Sequence, residues 1–394
     1  MKNIFLCLFS AFLLRLAFPP WDFWALAGIG LVPFLHLLDG KRARSGFGYG
    51  YLLGVLFFGS TLWWFIHVTL PGMILLVLYL SLYFAVFGWC SSLFSHRLSP
   101  LARLFFLPSL WVALEYLRGW LFTGFGWVTL GHSQYKNLMM IQIADITGSH
   151  GVSFVVVMTN VLLKEFCGIF SHRKKTSEAR LGFALAVGLI MLFVYAIYGF
   201  VRLHTLKVNP GPSVAVIQAN IAQSEKWEGS RWPGIMKKYR YLTREAAADH
   251  PDLIIWPETA FPGFIWEAPE LFLDLQTQMR LLETPLLLGI VTQRRDLAPR
   301  GNNSRDSAPR DSSRRARPED LAPRDEYHNS ALLISSTGRV DQEHDKLHLV
   351  PFGEYVPLRG IFPFLSHIVP IGDFTPGKEY ALFSLEPLRR LDLF

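Results

Sequence analysis

Three charged side chains in the second half of the chain have the types and flanks that acid–base chemistry needs. Glu258 closes the apolar run Ile254-Ile255-Trp256-Pro257. A carboxylate at the carboxyl end of a buried strand is held at the mouth of a sheet, where α/β sites form. Taken alone, such a glutamate is more often a cap or an ion-pair partner. Lys346 and Glu354 bracket Leu347-His348-Leu349-Val350-Pro351-Phe352-Gly353. An apolar loop with proline and glycine holds its backbone with little freedom, which suits a preorganised site. A third stretch, Gln218-Ala219-Asn220-Ile221-Ala222-Gln223-Ser224-Glu225-Lys226-Trp227, carries a strand end into a polar loop.

The elements that position these residues read as an α/β domain. Strands are expected at 213–220, 252–256, 285–291 and 329–336, the last closed by Thr337-Gly338. Helices are expected at 235–250 and 269–282. The stretch from Arg294 to Glu326 breaks this order. Asp-Leu-Ala-Pro-Arg occurs in it at 296–300 and again at 320–324, and its nine arginines against seven acids leave a net charge of +2. Its low apolar content and prolines predict a disordered surface insert.

The first half is different. Of the 394 residues, 51% are hydrophobic and 18% charged, and mean hydropathy is +0.28. The apolar residues concentrate before Val201. A spanning helix needs about 20 apolar residues to cross about 30 Å of hydrocarbon. The runs at 47–68, 72–94, 101–122, 138–163 and 181–201 meet that. Two shorter runs, 4–18 and 24–38, form a tight pair or a re-entrant hairpin around Pro19-Pro20. The first of them also has signal-peptide features, Lys2 and a small-residue site at Ala25-Leu26-Ala27, but further apolar runs follow at once, which favours an uncleaved pair. The chain is thus expected to hold a membrane domain of about seven transmembrane helices at 1–205 and an α/β domain at 210–394.

Cations cluster in alternate loops: Lys41, Arg42 and Arg44; Arg97 and Arg103; Arg173, Lys174, Lys175 and Arg180. Those loops are cytoplasmic by the positive-inside rule, so the α/β domain lies on the far side of the membrane. The net charge of +7 sits in these loops and in the insert, with no basic face bearing stacking aromatics, so nucleic acid is not an expected partner. Cys7, Cys90 and Cys167 lie far apart in or beside apolar runs, with no metal-ligand spacing, and read as core residues. Glu115 and Arg118 stand one helical turn apart in an apolar run. They form a mutual ion pair, or they line a lipid or substrate cavity. Gly148, Gly151 and Ser153 suggest close helix packing.

Trp-Pro-Glu at a strand end, followed by Lys346-Leu347-His348-Leu349-Val350-Pro351-Phe352-Gly353-Glu354, resembles the nitrilase superfamily of carbon–nitrogen hydrolases. The membrane half narrows the resemblance to the apolipoprotein N-acyltransferases. The stretches 115–120, 123–127 and 131–134 also resemble that family, although Gly126 stands where it has proline. The resemblance implies an αββα nitrilase-like fold, incomplete here, on the periplasmic side of the bacterial inner membrane. It implies Glu258 as general base, Lys346 as oxyanion stabiliser and Glu354 as the residue that positions the lysine. It puts Trp227 on a mobile loop over the acyl-chain entrance, and Glu115 and Arg118 among the substrate-binding residues. The partners it implies are a phospholipid acyl donor, phosphatidylethanolamine, and the diacylglyceryl-cysteine of an apolipoprotein, handled by a monomer without cofactor or metal.

The family uses a cysteine nucleophile soon after a segment like 377–385, and no cysteine follows Cys167 in this chain. The expectation is therefore a truncated form, inactive as it stands. Two other readings remain open at this point. One is a membrane-tethered amidase of the same superfamily, which would release a small acid to water. The other is a non-catalytic protein that binds lipid or lipoprotein.

Overall fold

The computed structural model describes residues 2–67, 70–170, 178–207, 209–222, 225–295, 325–350, 353–355 and 374–385. Described residues up to Lys207 form one compact unit, and those from Asn209 form another.

The first unit is helical. It contains α1 (Lys2–Leu16), α2 (Ala27–Gly30), α3 (Val32–Leu38), α4 (Ala43–Thr61), α5 (Leu70–Phe94), α6 (Pro100–Arg118), α7 (Leu138–Ile141), α8 (Ala144–Cys167) and α9 (Glu178–Thr205). Among the described residues, α5, α6, α8 and α9 are long and apolar enough to cross a membrane. The other expected runs are helical too, but α1 has 15 residues and the 24–38 run is divided at Leu31, with Pro33 in the first turn of α3. That division leaves backbone N–H groups without helical partners, and distant side chains meet them. Leu31 N donates to Asn160 Oδ1 at 2.8 Å, and Phe34 N donates to Ser10 Oγ at 2.9 Å. Asn160 also donates to the Ala27 carbonyl at 2.7 Å. A buried amide unmet in this way would cost about 1–3 kcal/mol.

Part of the close packing expected at 148–153 is present: Gly131 N donates to Ser153 Oγ at 2.7 Å, and a Cβ on Gly131 would stand 2.3 Å from Ser149 O. A second close approach joins α4 to α5. A Cβ on Gly46 would stand 2.4 Å from Gly88 O, and one on Gly50 would stand 2.3 Å from Phe84 O. With Gly54 these form a small-residue stripe that brings α4 against the α5 backbone. Gly148 instead takes φ +62° and interrupts α8. Arg103, counted above as a loop cation, is buried. Its Nε and Nη2 donate to Glu165 at 3.0 and 2.9 Å, and Nη1 donates to two carbonyls.

The second unit is built on a five-stranded sheet in the order β1 (Val214–Val216), β2 (Leu253–Ile255), β3 (Leu286–Arg295), β4 (Asp325–Ile334), β5 (Val340–Asp345). β1, β2 and β3 are parallel, while β3, β4 and β5 are antiparallel. The parallel pairs need crossovers, which are α10 (Trp232–Ala247) and α11 (Pro269–Leu282). Ile254, Leu288, Ile290 and Leu332 pack in one core with Met236 and Tyr239 of α10 and Leu275 and Met279 of α11. A separate core joins Leu253 and Leu333 to Phe383 and Leu385. This is the one sheet among the described residues, against the two of an αββα sandwich.

Two differences from the sequence reading stand out. β5, Val-Asp-Gln-Glu-His-Asp, has no apolar pattern and was not expected; it forms because the turn at 335–338 returns the chain along β4. The expected insert is shorter at both ends, since Arg294 pairs with Glu326 and Arg295 with Asp325 in the β3–β4 ladder. The rest of that expected disordered stretch, 296–324, lies outside the described residues.

Candidate active site

Glu258 stands three residues beyond β2, and the reason is local. Trp256 is buried, stacks on Tyr239 with ring centres 4.5 Å apart, and donates from Nε1 to Thr243 Oγ1 at 2.9 Å. Trp256 N still bonds to Leu287 O, and Ala260 N bonds to Gly289 O, so Glu258 lies on a short arch between two anchored points. The arch crosses β3 at Gly289, where a Cβ would stand 2.3 Å from Pro257 O and 2.7 Å from Glu258 Cα. Only glycine admits that approach.

Lys346 directly follows β5. Its N donates to Asn329 O at 2.8 Å, and its carbonyl accepts from Gly377 N at 2.9 Å. Glu354 is held by a tight turn, in which its N donates to Val350 O and its Oε2 accepts from Val350 N at 2.7 Å.

These supports bring the three side chains together. Lys346 Nζ lies 2.7 Å from Glu258 Oε1 and 3.0 Å from Glu354 Oε1. Glu354 is 12% exposed, Lys346 28% and Glu258 58%, so the lysine and one carboxylate are seated while the other faces outward. Burial by itself lowers the lysine's pKa, but the hydrogen bonds and charges of Glu258 and Glu354 outweigh it and leave the value raised above 10.5. The site therefore holds a lysine whose ammonium form is favoured by two carboxylates. Such a set can take a proton at Glu258 and oppose negative charge developing beside Lys346.

Two neighbours escaped the sequence reading. Asn329 of β4 is buried, and its Nδ2 donates to Glu258 Oε1 at 2.5 Å and to Glu354 Oε1 at 2.6 Å. The available signal was a lone amide opening an otherwise apolar strand, which ordinarily reads as a strand end. Lys226 lies within electrostatic reach of Glu258. Its burial lowers its pKa, Glu258 raises it, and the net shift is downward. Trp227 follows it in the turn at 225–227 and is 50% exposed.

Glu115 and Arg118, in the helical unit, are both buried and do not bridge to each other. Glu115 Oε1 accepts from Trp111 Nε1 and Leu130 N, both at 2.8 Å, and Arg118 Nη2 donates to Trp127 O at 3.0 Å. They line a cavity of about 20 Å³ with Phe57, Tyr83 and Phe84. That is room for about one water and not for an acyl chain.

Comparison with known proteins covers both units. The family model for the apolipoprotein N-acyltransferase N-terminal domain matches residues 10–162, and that for carbon–nitrogen hydrolase matches residues 213–373. An apolipoprotein N-acyltransferase of Geobacter metallireducens is 34% identical over 393 residues, covering 96% of this chain and 70% of the relative. One of Vibrio cholerae is 32% identical, covering 92% of this chain and 67% of the relative. One of Chlorobaculum tepidum is 32% identical, covering 96% and 70%. Two successive family matches and this similarity over nearly the whole chain lead to one conclusion: the chain belongs to the apolipoprotein N-acyltransferase family, a family of acyltransferases.

Proposed function

We propose that the protein N-acylates lipoproteins, moving an acyl chain from a phospholipid, phosphatidylethanolamine, to the α-amine of a diacylglyceryl-cysteine. The observation that supports this most directly is the Lys346 ammonium held between Glu258 and Glu354 at the end of the sheet. In the first step a cysteine thiol gives its proton to Glu258, and its sulfur attacks the ester carbonyl of the donor. Lys346 opposes the charge that forms on the carbonyl oxygen. The C–O bond breaks, and the lysophospholipid leaves as an alcohol that takes the proton back from Glu258. In the second step the lipoprotein amine attacks the thioester carbonyl and loses a proton to Glu258. The thiolate leaves and recovers that proton, so the enzyme ends as it began.

Glu354 keeps the lysine in place, and Trp227 borders the acyl-chain entrance from its loop. Glu115 and Arg118 hold the 124–134 loop by Trp127 O and Leu130 N, and the lipid substrates lie against that wall. The second unit faces the periplasm of a bacterial inner membrane, as the loop charges indicate, and the protein works as a monomer.

The test uses membranes from cells expressing this gene, a phosphatidylethanolamine donor and a diacylglyceryl-cysteine peptide. The expected products are N-acyl peptide and lysophospholipid, with Glu258→Gln lowering the rate about 10²–10⁴-fold and Lys346→Ala about 10²–10³-fold. Free fatty acid in place of N-acyl peptide would mark a hydrolase instead. Cys7, Cys90 and Cys167 all belong to the helical unit. A hydroxylamine-sensitive acyl group on any of these three, located by mass spectrometry, would identify that residue as the nucleophile.

A further inference from the structure

We infer that Asn329 is a positioning residue for the base: by occupying Oε1 of both Glu258 and Glu354, it leaves Glu258 Oε2 as the oxygen that takes the nucleophile's proton. The inference rests on the acyl-transfer reading above and adds a division of labour between the two oxygens of one carboxylate.

The geometry is a closed ring of two donors and two acceptors. Glu258 Oε1 accepts from Lys346 Nζ at 2.7 Å and from Asn329 Nδ2 at 2.5 Å. Glu354 Oε1 accepts from the same two atoms at 3.0 and 2.6 Å. Two carboxylate oxygens can be met only by donors, so the orientation of the Asn329 amide follows from its partners; turned over, its oxygen would face both of them. Glu354 spends its second oxygen on Val350 N. Glu258 Oε2 meets no hydrogen-bond donor among the described residues, and that side chain is 58% exposed.

Charge explains why an amide fits this position. The groups facing Glu258 are Lys346 beyond β5, Glu354 on its turn, Lys226 on the 225–227 turn, and Asn329 on β4. A second ammonium at position 329 would hold the carboxylates but make them poor proton acceptors. A carboxylate there would drive them apart. The amide donates to both carboxylates and adds no charge, so it holds the pair close without a second cation. The same residue also sets the lysine, because Lys346 N donates to Asn329 O at 2.8 Å. His328 and Ser330, its neighbours on β4, belong to a different group around Asp345, so position 329 alone reaches the ring.

The test reads the protonation of Glu258 directly, by labelling with a diazo reagent that esterifies protonated carboxyls and locating the ester by mass spectrometry. In Asn329→Asp a third carboxylate enters at unchanged shape, and in Asn329→Ser the donor is shorter and reaches at most one partner. Both changes favour the protonated acid, so the labelling midpoint of Glu258 should move upward by about one pH unit or more. Should Asn329→Asp fail to accumulate in membranes, Asn329→Ser carries the same prediction. A midpoint unmoved in the variants that accumulate would overturn the inference, because a purely structural role would lower yield without moving it. Lysophospholipid release, measured on the same membranes, keeps the two ideas separate. A moved midpoint with no release by the unsubstituted protein would sink the acyl-transfer reading and leave the role of Asn329 standing.

Discussion

Lys346 matters at the residue scale because it must stay charged to oppose an oxyanion. Burial works against the charge, and two carboxylates within 3.0 Å restore it with some to spare. The pH consequence has a definite sign. A lysine whose folded value is raised contributes stability that is fully present below 10.5, the ordinary value, and is lost as pH rises through the raised one. Amine-selective labelling of Lys346 below pH 10.5 should therefore be slower than that of Lys226, whose value is lowered. Equal labelling of the two lysines at pH 9 would contradict this (mass spectrometry resolves them). The lysine and both carboxylates were legible in the sequence, because each stands beside a strand end or a proline–glycine loop. Asn329 and Lys226 were not, since an amide in a strand and a lysine in a polar loop each look like surface.

At the scale of elements, the site depends on how closely the Glu258 arch crosses β3. Ala at position 289 would put a Cβ 2.3 Å from backbone Pro257 O, an overlap that no side-chain rotation relieves. Gly289→Ala should cost about 1–3 kcal/mol. It should also lower acyl transfer about 10²-fold, by displacing Glu258 on the order of 1 Å from Lys346. Thermal unfolding and lysophospholipid release check the two parts separately. The matching contact in the helical unit is Gly50, where a Cβ would stand 2.3 Å from Phe84 O. Gly50→Val should force α4 off α5, and a lower unfolding temperature in detergent, by several degrees, is the expected measure. The apolar runs of the sequence announced the helices well. They said nothing of which glycines face a neighbour, because helical spacing fixes a stripe but not the partner backbone opposite it.

On the scale of the whole molecule, the described residues combine a helical unit that has four helices long and apolar enough to cross a membrane with a unit built on a five-stranded sheet. The proposed orientation puts residues after about 205 outside the cytoplasm. Protease added to intact spheroplasts should then cut within 294–326, a stretch with nine arginines, and leave a membrane-held fragment that contains α9. Protection in spheroplasts, with cleavage only after lysis, would reverse the orientation. The buried state of Arg103 removes one cation from the loop count, but Lys41, Arg42 and Arg44 keep the same bias in their loop.

Composition and local pattern were enough to divide this chain into two parts, to expect strands and helices in the right order after residue 210, and to single out Glu258, Lys346 and Glu354. Those features follow from interactions within a few residues along the chain, such as apolar periodicity, turn chemistry and the flanks of a charge. Tertiary structure alone decided that an ammonium meets a carboxylate from 88 positions away, that Asn329 joins them, and that Glu115 and Arg118 hydrogen-bond to Trp111, Leu130 and Trp127 and not to each other. Each of those outcomes depends on strand register and on which backbone lies opposite, and two distant segments acquire both only when they pack.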